Sequence, residues 1–215
     1  MKAFVFDFDG TMIDTEAVWF DETKKYLRAE YGMDLPMEVY EKVVGSSDEP
    51  LLLYMAEATN GKFDAAAFQK YIDVAVHSGR DQLEMRDGFM RVYQYAKDNG
   101  YKIGLATSSA RAWVEPILEK FGILADFETI QTADDVEVIK PDPALYRQAV
   151  EALGVKPEEA VAVEDSRNGS LSAIGAGLHT IAIKNEVTKG IVFPEGVTVY
   201  DSFADVDLDA FLAGK

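Results

Sequence analysis

The chain has 215 residues, which is more than most single domains contain, so we expect one domain with an insertion or two small domains. The 21 Lys and Arg residues are outnumbered by 38 Asp and Glu, and a net charge of −17 repels nucleic-acid phosphates. Cysteine is absent, which excludes disulfide bonds and thiolate metal sites. The sequence also shows no secretion signal and no apolar stretch long enough for a bilayer, so we expect a cytoplasmic protein without a membrane partner. The strong negative charge argues against a nucleic-acid partner and suits a monomer.

Predicted strands and helices alternate along most of the chain. The first predicted strand, Ala3 to Phe8, is a short apolar and aromatic run followed by Gly10. Further strands are predicted at 102–106, 128–131, 160–164 and 180–183, and helices at 88–99, 110–121, 143–153 and 168–176. Each of these helical patterns is followed directly by a glycine, a common helix end. The alternation predicts an α/β fold with a parallel sheet covered on both faces.

Residues 16–83 break this alternation, because they contain helical patterns and no convincing strand. Ala17, Phe20, Leu27 and Tyr31 share one face at helical spacing. Later helices are predicted at 37–44, 49–59 and 64–78, and a short one at the end of the chain, at 207–215. We therefore predict an all-helical domain, 16–83, inserted into a core formed by residues 1–15 and 84–215.

Polar residues follow the predicted strands at their carboxyl ends, where α/β sheets bind ligands. They are Asp7 and Asp9 in DFDGTMID; Thr107, Ser108 and Ser109 in LATSS; Lys140 in KPDP, before a helix; and Glu164 and Asp165 in VEDSRNG. Carboxylates suit a hard cation, and hydroxyl groups, backbone amides and one lysine suit a phosphate. The pattern predicts a phosphate site beside Mg²⁺.

The chemistry of phosphate esters gives these residues distinct roles. The negative charge of the ester repels a nucleophile, so it has to be neutralised by Mg²⁺, by Lys140 and by donors at the start of the helix after Ser109. A carboxylate can then attack phosphorus to give an aspartyl phosphate. Asp7 and Asp9 lie at one strand end, so one can attack while the other transfers a proton.

Taken singly, each of these motifs has an ordinary interpretation. Asp7 and Asp9 would also suit the start of a calcium loop, but that loop requires Gly and Glu where Met12 and Val18 stand. The serines after the second strand resemble a helix N-cap, and Lys140 alone resembles a surface lysine. The ordered combination of all four at strand ends or neighbouring loops favours one site.

DFDGTMID, LATSS, the lysine of KPDP and VEDS resemble, in order, the four motifs of the haloacid dehalogenase superfamily. The helical insertion is similar to the cap of the subgroup that contains β-phosphoglucomutase and sugar-phosphate phosphatases. The resemblance implies a Rossmann-like core with a helical cap and a Mg²⁺ cofactor. It also implies the roles of individual residues.

By this resemblance, Asp7 is the nucleophile, and Asp9 is the acid/base whose backbone carbonyl also contacts Mg²⁺. Thr107 and the Ser108 amide would hold the phosphoryl group, with Ser109 in the same loop, and Lys140 would bridge the phosphoryl group to the nucleophile. Asp165 would ligate the metal, and Glu164 would either ligate it or support the other ligands.

Three functions follow from the resemblance. Dehalogenases lack the second aspartate of the first motif, and Asp9 is present here. The mutase has a histidine where Trp19 stands and an arginine in the segment that reads GSSD from Gly45 to Asp48. We therefore expect a Mg²⁺-dependent phosphatase acting on a small phosphorylated metabolite, above all a sugar phosphate. A hexose-phosphate mutase and a non-catalytic metabolite-binding protein are the alternatives, and Trp19 belongs either to the cap core or to the substrate cleft.

Overall fold

The computed structural model describes residues 1–215, except for the side chains of His77 and Asp81. Within the described chain, six strands form one sheet whose neighbouring strands are all parallel. They are β1 (Ala3–Phe6), β2 (Lys102–Ala106), β3 (Thr129–Gln131), β4 (Ala160–Glu164), β5 (His179–Ile183) and β6 (Val197–Tyr200), in the spatial order β3-β2-β1-β4-β5-β6. The predicted α/β fold with a Rossmann-like parallel sheet is confirmed.

The central strand β1 is apolar throughout because both faces of the sheet are covered. In β1, Phe4 and Phe6 pack into one buried cluster, while Ala3 and Val5 pack into a second cluster on the opposite face. The alternation follows from the two-residue period of a strand. Strand β6 was not predicted from the sequence; it lies at the sheet edge, and its four residues are at most half-buried.

Helices flank the sheet and fill the insertion. In chain order they are α1 (Glu16–Tyr31), α2 (Met37–Tyr40), α3 (Glu49–Ala58), α4 (Ala65–Gly79), α5 (Phe89–Asp98), α6 (Arg111–Lys120), α7 (Ala144–Leu153), α8 (Arg167–Gly175) and α9 (Leu208–Ala213). Helix α2 is shorter than predicted and ends at Tyr40. The carbonyls of Lys42 and Val44 accept hydrogen bonds from Asn168 instead of continuing that helix.

Residues 16–83, which we call the helical segment, form no strand, as the sequence predicted. Helices α1 and α4 pack together through aromatic side chains, among them Tyr26 and Phe68, whose ring centroids are 5.2 Å apart. The buried apolar side chains of the segment belong to the same cluster as Phe4 and Phe6 of β1. Among the described residues, every helix is too short or too polar to cross a membrane.

The chain passes between sheet and helical segment twice, and the two connections lie side by side. Ile13 in the first connection forms an antiparallel bridge with Met85 in the second. The amide of Arg86 donates to the carbonyl of Met12 at 2.9 Å. The guanidinium of Arg86 also donates to the carbonyls of Gly10 and Ile183, so the second connection is attached to the loop that follows β1.

Candidate active site

A buried ionic cluster lies at the carboxyl end of the sheet. Asp7 directly follows β1 and Glu164 ends β4, and these strands are neighbours. The Nζ atom of Lys140 lies 2.6 Å from Oδ1 of Asp7 and 2.7 Å from Oε1 of Glu164. The Tyr146 hydroxyl also donates to that oxygen of Glu164, at 2.7 Å. Asp7 is 133 positions from Lys140 in the sequence and Glu164 is 24 positions away, and the structure brings all three together.

The charge of Lys140 is maintained by its partners. This residue is only 1% exposed, and burial by itself disfavours an ammonium ion. The adjacent carboxylates of Asp7 and Glu164 outweigh that effect and raise the pKa of Lys140. A charged amine is therefore held against the side chain predicted to attack phosphorus.

Three carboxyl groups form a candidate metal site. Asp7, Glu164 and Asp165 are buried, and each offers an oxygen within 4.8 Å of those of the other two. Burial, with the nearby charge of Glu164, raises the pKa of Asp7 to about 7, and burial, with the charge of Asp7, raises the pKa of Asp165 well above its usual value. Hard oxygen ligands with excess negative charge match the preferences of Mg²⁺, so these residues fit that ion.

Gly10 lets the chain turn close to this cluster. Its φ is +77°, and a Cβ atom there would lie 2.3 Å from Oδ2 of Asp165. A side chain would therefore be strained in the backbone and would displace the carboxylate. The local sequence DFDG folds as it does because glycine alone meets both requirements.

The carboxylate of Asp9 is held apart from this cluster by three donors. It accepts hydrogen bonds from the Thr15 hydroxyl at 2.7 Å, from Nε1 of Trp113 at 3.0 Å and from the hydroxyl of Ser109. Asp9 lines the open cavity described below. Because the hydroxyl of Ser109 is engaged by Asp9, the structure supplies no direct support for a phosphate contact by that hydroxyl, and this role stays a prediction.

Thr107 and Ser108 lie in the loop between β2 and α6. Oγ1 of Thr107 accepts from the Ser109 amide at 3.0 Å, and the Ser108 hydroxyl donates to the carbonyl of Gly45 at 3.1 Å. Both residues face the same cavity as Asp7. The predicted phosphate-binding residues are thus next to the predicted nucleophile.

The segment 42–46, here called the strap, belongs to the helical segment and contacts the loop after β2, the loop before α7 and the first turn of α8. Besides the Ser108 contact, Ser46 donates to the carbonyl of Lys140 at 2.6 Å, and Asn168 donates to the carbonyl of Val44 at 2.9 Å. Gly45 has a φ of +73°, and a Cβ there would lie 2.2 Å from Oγ of Ser166. The strap is therefore in direct contact with segments that follow the carboxyl ends of the strands.

A cavity of about 350 Å³ opens between the sheet and the helical segment. Its walls include Asp7, Thr107 and Ser108 from the sheet side and Glu16, Trp19, Tyr40 and Asp48 from the helical segment. The sequence left open whether Trp19 belongs to the cap core or to the substrate cleft, and the structure places it in the cavity wall. A cleft with polar groups at one end and aromatic rings beside them is typical of a small-molecule site.

Asp165 is held by two side chains, those of Thr11 and Asn185, to which the sequence motifs assigned no role. Oδ1 accepts from the Thr11 hydroxyl at 3.1 Å, and Oδ2 accepts from Nδ2 of Asn185 at 2.7 Å. Asn185 also donates to the carbonyl of Gly10 at 3.1 Å, and its own oxygen accepts from the amide and hydroxyl of Thr188. Asn185 could have been found from the sequence, because it lies two residues after β5 and the carboxyl ends of the strands meet at this edge.

A second missed pair comes from the helical segment. The Tyr40 hydroxyl donates to Oε2 of Glu16 at 3.1 Å in a buried contact. Burial and the charge of Asp9 raise the pKa of Glu16 to about 8. Neither residue follows a strand, so the rule that located the other polar groups did not apply to them.

Comparison of sequences relates this site to known proteins. The family model described as haloacid dehalogenase-like hydrolase matches residues 4–183. The Bacillus subtilis protein YhcW, whose name places it among phosphatases, is 37% identical over 214 residues, which cover 99% of this chain and 96% of YhcW. A phosphorylated carbohydrates phosphatase of Thermotoga maritima is 28% identical over 186 residues, 84% of each chain.

Solved structures agree with the sequence matches. The crystal structure of CbbY from Rhodobacter sphaeroides in complex with phosphate has a TM-score of 0.79 and 27% identity, and the match covers 95% of this chain and 96% of CbbY. The same values relate this chain to a CbbY mutant in complex with xylulose-(1,5)bisphosphate. The fold and the family predicted from the four motifs are confirmed.

Proposed function

The chain belongs to the haloacid dehalogenase-like hydrolase family, and we propose that it is a Mg²⁺-dependent phosphatase for a small phosphorylated metabolite. It would act through an aspartyl phosphate on Asp7. One observation carries the proposal: the carboxylate of Asp7 lines the open cavity while Lys140, 2.6 Å away, ties it to the acidic cluster. The phosphatases among its relatives support the same reaction class.

Asp7 is proposed to attack phosphorus and to release the alcohol. Lys140 holds the attacking carboxylate in place and offsets negative charge, and Thr107 and Ser108 provide donors on the sheet side of the cavity. Hydrolysis of the aspartyl phosphate by water then restores Asp7. Two moderate barriers replace one very high barrier, because uncatalysed phosphomonoester hydrolysis is among the slowest known reactions.

Asp9 is proposed to donate a proton to the leaving oxygen and to take one from the attacking water. Thr15, Trp113 and Ser109 fix the orientation of its carboxylate. A general acid gains efficiency when it is positioned in this way. Its separation from the Lys140 cluster keeps the nucleophile and the acid distinct.

The proposed metal ligands are Asp7, Glu164 and Asp165, whose carboxyl oxygens are already grouped. The backbone carbonyl of Asp9 is proposed as a further ligand on the family resemblance. Bound Mg²⁺ would supply positive charge that neutralises the phosphoryl oxygens. Thr11 and Asn185 orient Asp165 toward this position.

Residues 16–83 are proposed to form a cap over the site, and residues 1–15 and 84–215 to form the core domain. The strap contacts and the cavity between sheet and helical segment support this division. The connections near residues 14–16 and 83–88 are proposed as the hinge. Closure excludes bulk water from the phosphoryl group.

A sugar phosphate is the proposed substrate. The Thermotoga maritima relative is a phosphatase of phosphorylated carbohydrates, and the related CbbY structure holds a sugar bisphosphate. The cavity of about 350 Å³ has room for a small metabolite, and its rings from Trp19 and Tyr40 suit the apolar faces of a sugar.

The test is phosphate release from p-nitrophenyl phosphate and from a panel of sugar phosphates. We expect turnover with Mg²⁺, loss of at least about 100-fold on chelation, and recovery when Mg²⁺ is restored. Undiminished activity in the presence of chelator would contradict the metal assignment. Conversion of β-glucose 1-phosphate to the 6-phosphate faster than phosphate release would instead identify a mutase, and no turnover of any phosphomonoester would indicate a non-catalytic binding protein.

A further inference from the structure

We propose that the cavity selects monophosphates whose remaining part is an uncharged polyol, and that it rejects compounds with a second anionic group. This inference rests on the proposed phosphatase function and adds the chemical class of the leaving group. The observation behind it is that the helical segment contributes acidic residues to the cavity wall and no basic residue.

Four acidic side chains line the cavity. Asp7 and Asp9 belong to the sheet side, and Glu16 and Asp48 belong to the helical segment. Among the described residues that line the cavity, none is Lys, Arg or His. The amine of Lys140, which the proposed mechanism uses, is buried between Asp7 and Glu164. It is therefore next to the proposed nucleophile and is not available to a second anionic group of the substrate.

A second phosphate or carboxylate would therefore enter a region without a counter-ion. Asp48 stands exposed at the start of α3, and Glu49 follows it, so both acidic residues offset the positive end of the helix dipole. Moving an anion from water into such a place is unfavourable, because no basic side chain among the described lining residues compensates for its lost hydration. The strap brings no basic side chain to the cavity wall either.

Hydroxyl groups fit the same region. Oε2 of Glu16 accepts from the Tyr40 hydroxyl, and both residues line the cavity. With a pKa of about 8, Glu16 keeps its proton near neutral pH and can both donate to and accept from a hydroxyl. Trp19, Tyr40 and Trp113 add aromatic surface beside it, as sugar rings require.

Two matched pairs of compounds test the inference. Fructose 6-phosphate is compared with fructose 1,6-bisphosphate, and glycerol 3-phosphate with 3-phosphoglycerate, which has a carboxylate in place of a hydroxymethyl group. The readout is the apparent inhibition constant against p-nitrophenyl phosphate hydrolysis by the Mg²⁺-loaded enzyme, so each compound reports whether or not it is turned over. We expect the member with the second anionic group, fructose 1,6-bisphosphate or 3-phosphoglycerate, to bind at least tenfold more weakly than its partner.

Two charge reversals on α3 identify the origin of this preference. The bisphosphate penalty is the inhibition constant of fructose 1,6-bisphosphate divided by that of fructose 6-phosphate. Asp48→Arg should reduce this ratio at least fivefold. Glu57→Arg makes the same charge change on an exposed residue of the helix, nine positions away. This is about 14 Å along the axis and beyond the Debye length at physiological salt, so the penalty should change by less than twofold.

The possible results separate the two proposals. Absence of p-nitrophenyl phosphate hydrolysis would overturn the phosphatase function itself. Hydrolysis with equal binding of both members of each pair would overturn only the charge selection. If both arginine variants remove the penalty equally, the net charge of the protein and not the cavity wall causes it, and the inference is wrong. Circular dichroism on each variant establishes that the comparison is made on folded protein.

Discussion

The two sides of the cavity are built differently. On the sheet side, Asp7 and Glu164 come directly from strand ends and are joined by a buried lysine with contacts of 2.6 and 2.7 Å. On the other side, Glu16 comes from the first turn of α1 and Asp48 from the start of α3, and one hydrogen bond joins Glu16 to Tyr40. The groups assigned to bond breaking are tightly coupled, whereas those assigned to recognition are spread over separate helices.

The difference has a physical reason. Parallel strands deliver their last residues to one edge, so a few short motifs suffice to assemble charged groups there. The low dielectric of that edge makes each unpaired charge costly, and every member of the cluster is consequently paired. Among the recognition groups, Asp48 is exposed and should tolerate replacement, whereas Glu16 and Tyr40 are buried together. Variants on each side should therefore differ in kind as well as in size.

The largest effect is expected at the sheet side, for Asp7→Asn. The amide cannot form an aspartyl phosphate, so phosphate release from every substrate should fall at least about 10⁴-fold. The measurement is kcat on p-nitrophenyl phosphate, with circular dichroism to verify the fold. Asp98→Asn, at an exposed helix position, is the matched control and should retain full activity. Residual turnover within tenfold of the wild type would remove Asp7 from the nucleophile role.

On the other side, Glu16→Gln should change stability with a definite pH dependence. The pKa of Glu16 rises from 4.5 to about 8 because it is buried near Asp9, so the folded protein retains a proton that the unfolded chain releases. Wild-type stability is therefore lost as the pH rises through this interval. With metal removed by a chelator, the free energy of unfolding should decrease from pH 5.5 to pH 7.5 in the wild type. This decrease should be about 2 to 3 kcal/mol larger in the wild type than in Glu16→Gln.

Urea unfolding at the two pH values measures this difference. Glu57→Gln is the control, because its side chain is exposed, and it should follow the wild type. Parallel pH profiles of the wild type and Glu16→Gln would show that Glu16 is ionised in both states, contrary to the expected retention of its proton.

A smaller effect is expected for Asn185→Ala, which removes a support of Asp165 and leaves the ligand itself in place. Loss of the 2.7 Å hydrogen bond should raise the Mg²⁺ concentration for half-maximal activity about tenfold. Most of the activity should return at saturating Mg²⁺. Calorimetric titration with Mg²⁺ measures the same change without substrate. Asn99→Ala, which removes an exposed asparagine, should leave the affinity unchanged, and equal affinities for both variants would contradict the orienting role.

The smallest effect is expected where the two sides meet, for Gly45→Ala. The added Cβ would collide with Oγ of Ser166 and shift the strap away from the sheet, so kcat/KM should fall about fivefold. Gly61→Ala is a close control, because Gly61 has a φ of +75° but no atom within 4 Å of the added Cβ. Both variants should lose about 1 kcal/mol of stability from backbone strain. Equal kinetics in the two would show that strap position does not influence turnover.

The sequence was sufficient for those parts of the molecule that follow strand periodicity. Asp7, Lys140 and Glu164 were located because apolar runs and the loops after them mark the sheet edge, and the structure brings these three within hydrogen-bonding distance. The family motifs then linked them to one reaction class. Their individual catalytic roles stay predictions until the variants above are measured.

Other features depend on contacts between distant segments, which a local pattern does not contain. Asn185 supports Asp165 across a turn that has no motif of its own, and Glu16 is paired with Tyr40 from another helix. Helix α2 ends at Tyr40 because the carbonyls beyond it bond to Asn168, a tertiary effect. Strand β6 was missed because its residues Val197–Tyr200 lie at an edge, where burial imposes little pattern.

The paired connections between sheet and helical segment restrict how these two parts can move. Ile13 and Met85 form a backbone bridge, and the Arg86 amide is bonded to Met12, so the two chain crossings act as one attachment line. Swinging about that line preserves these bonds, whereas torsion or sliding would break them. The proposed cap movement of residues 16–83 would therefore follow a single axis, and the direction of that axis would be set by backbone atoms that side-chain mutation leaves in place.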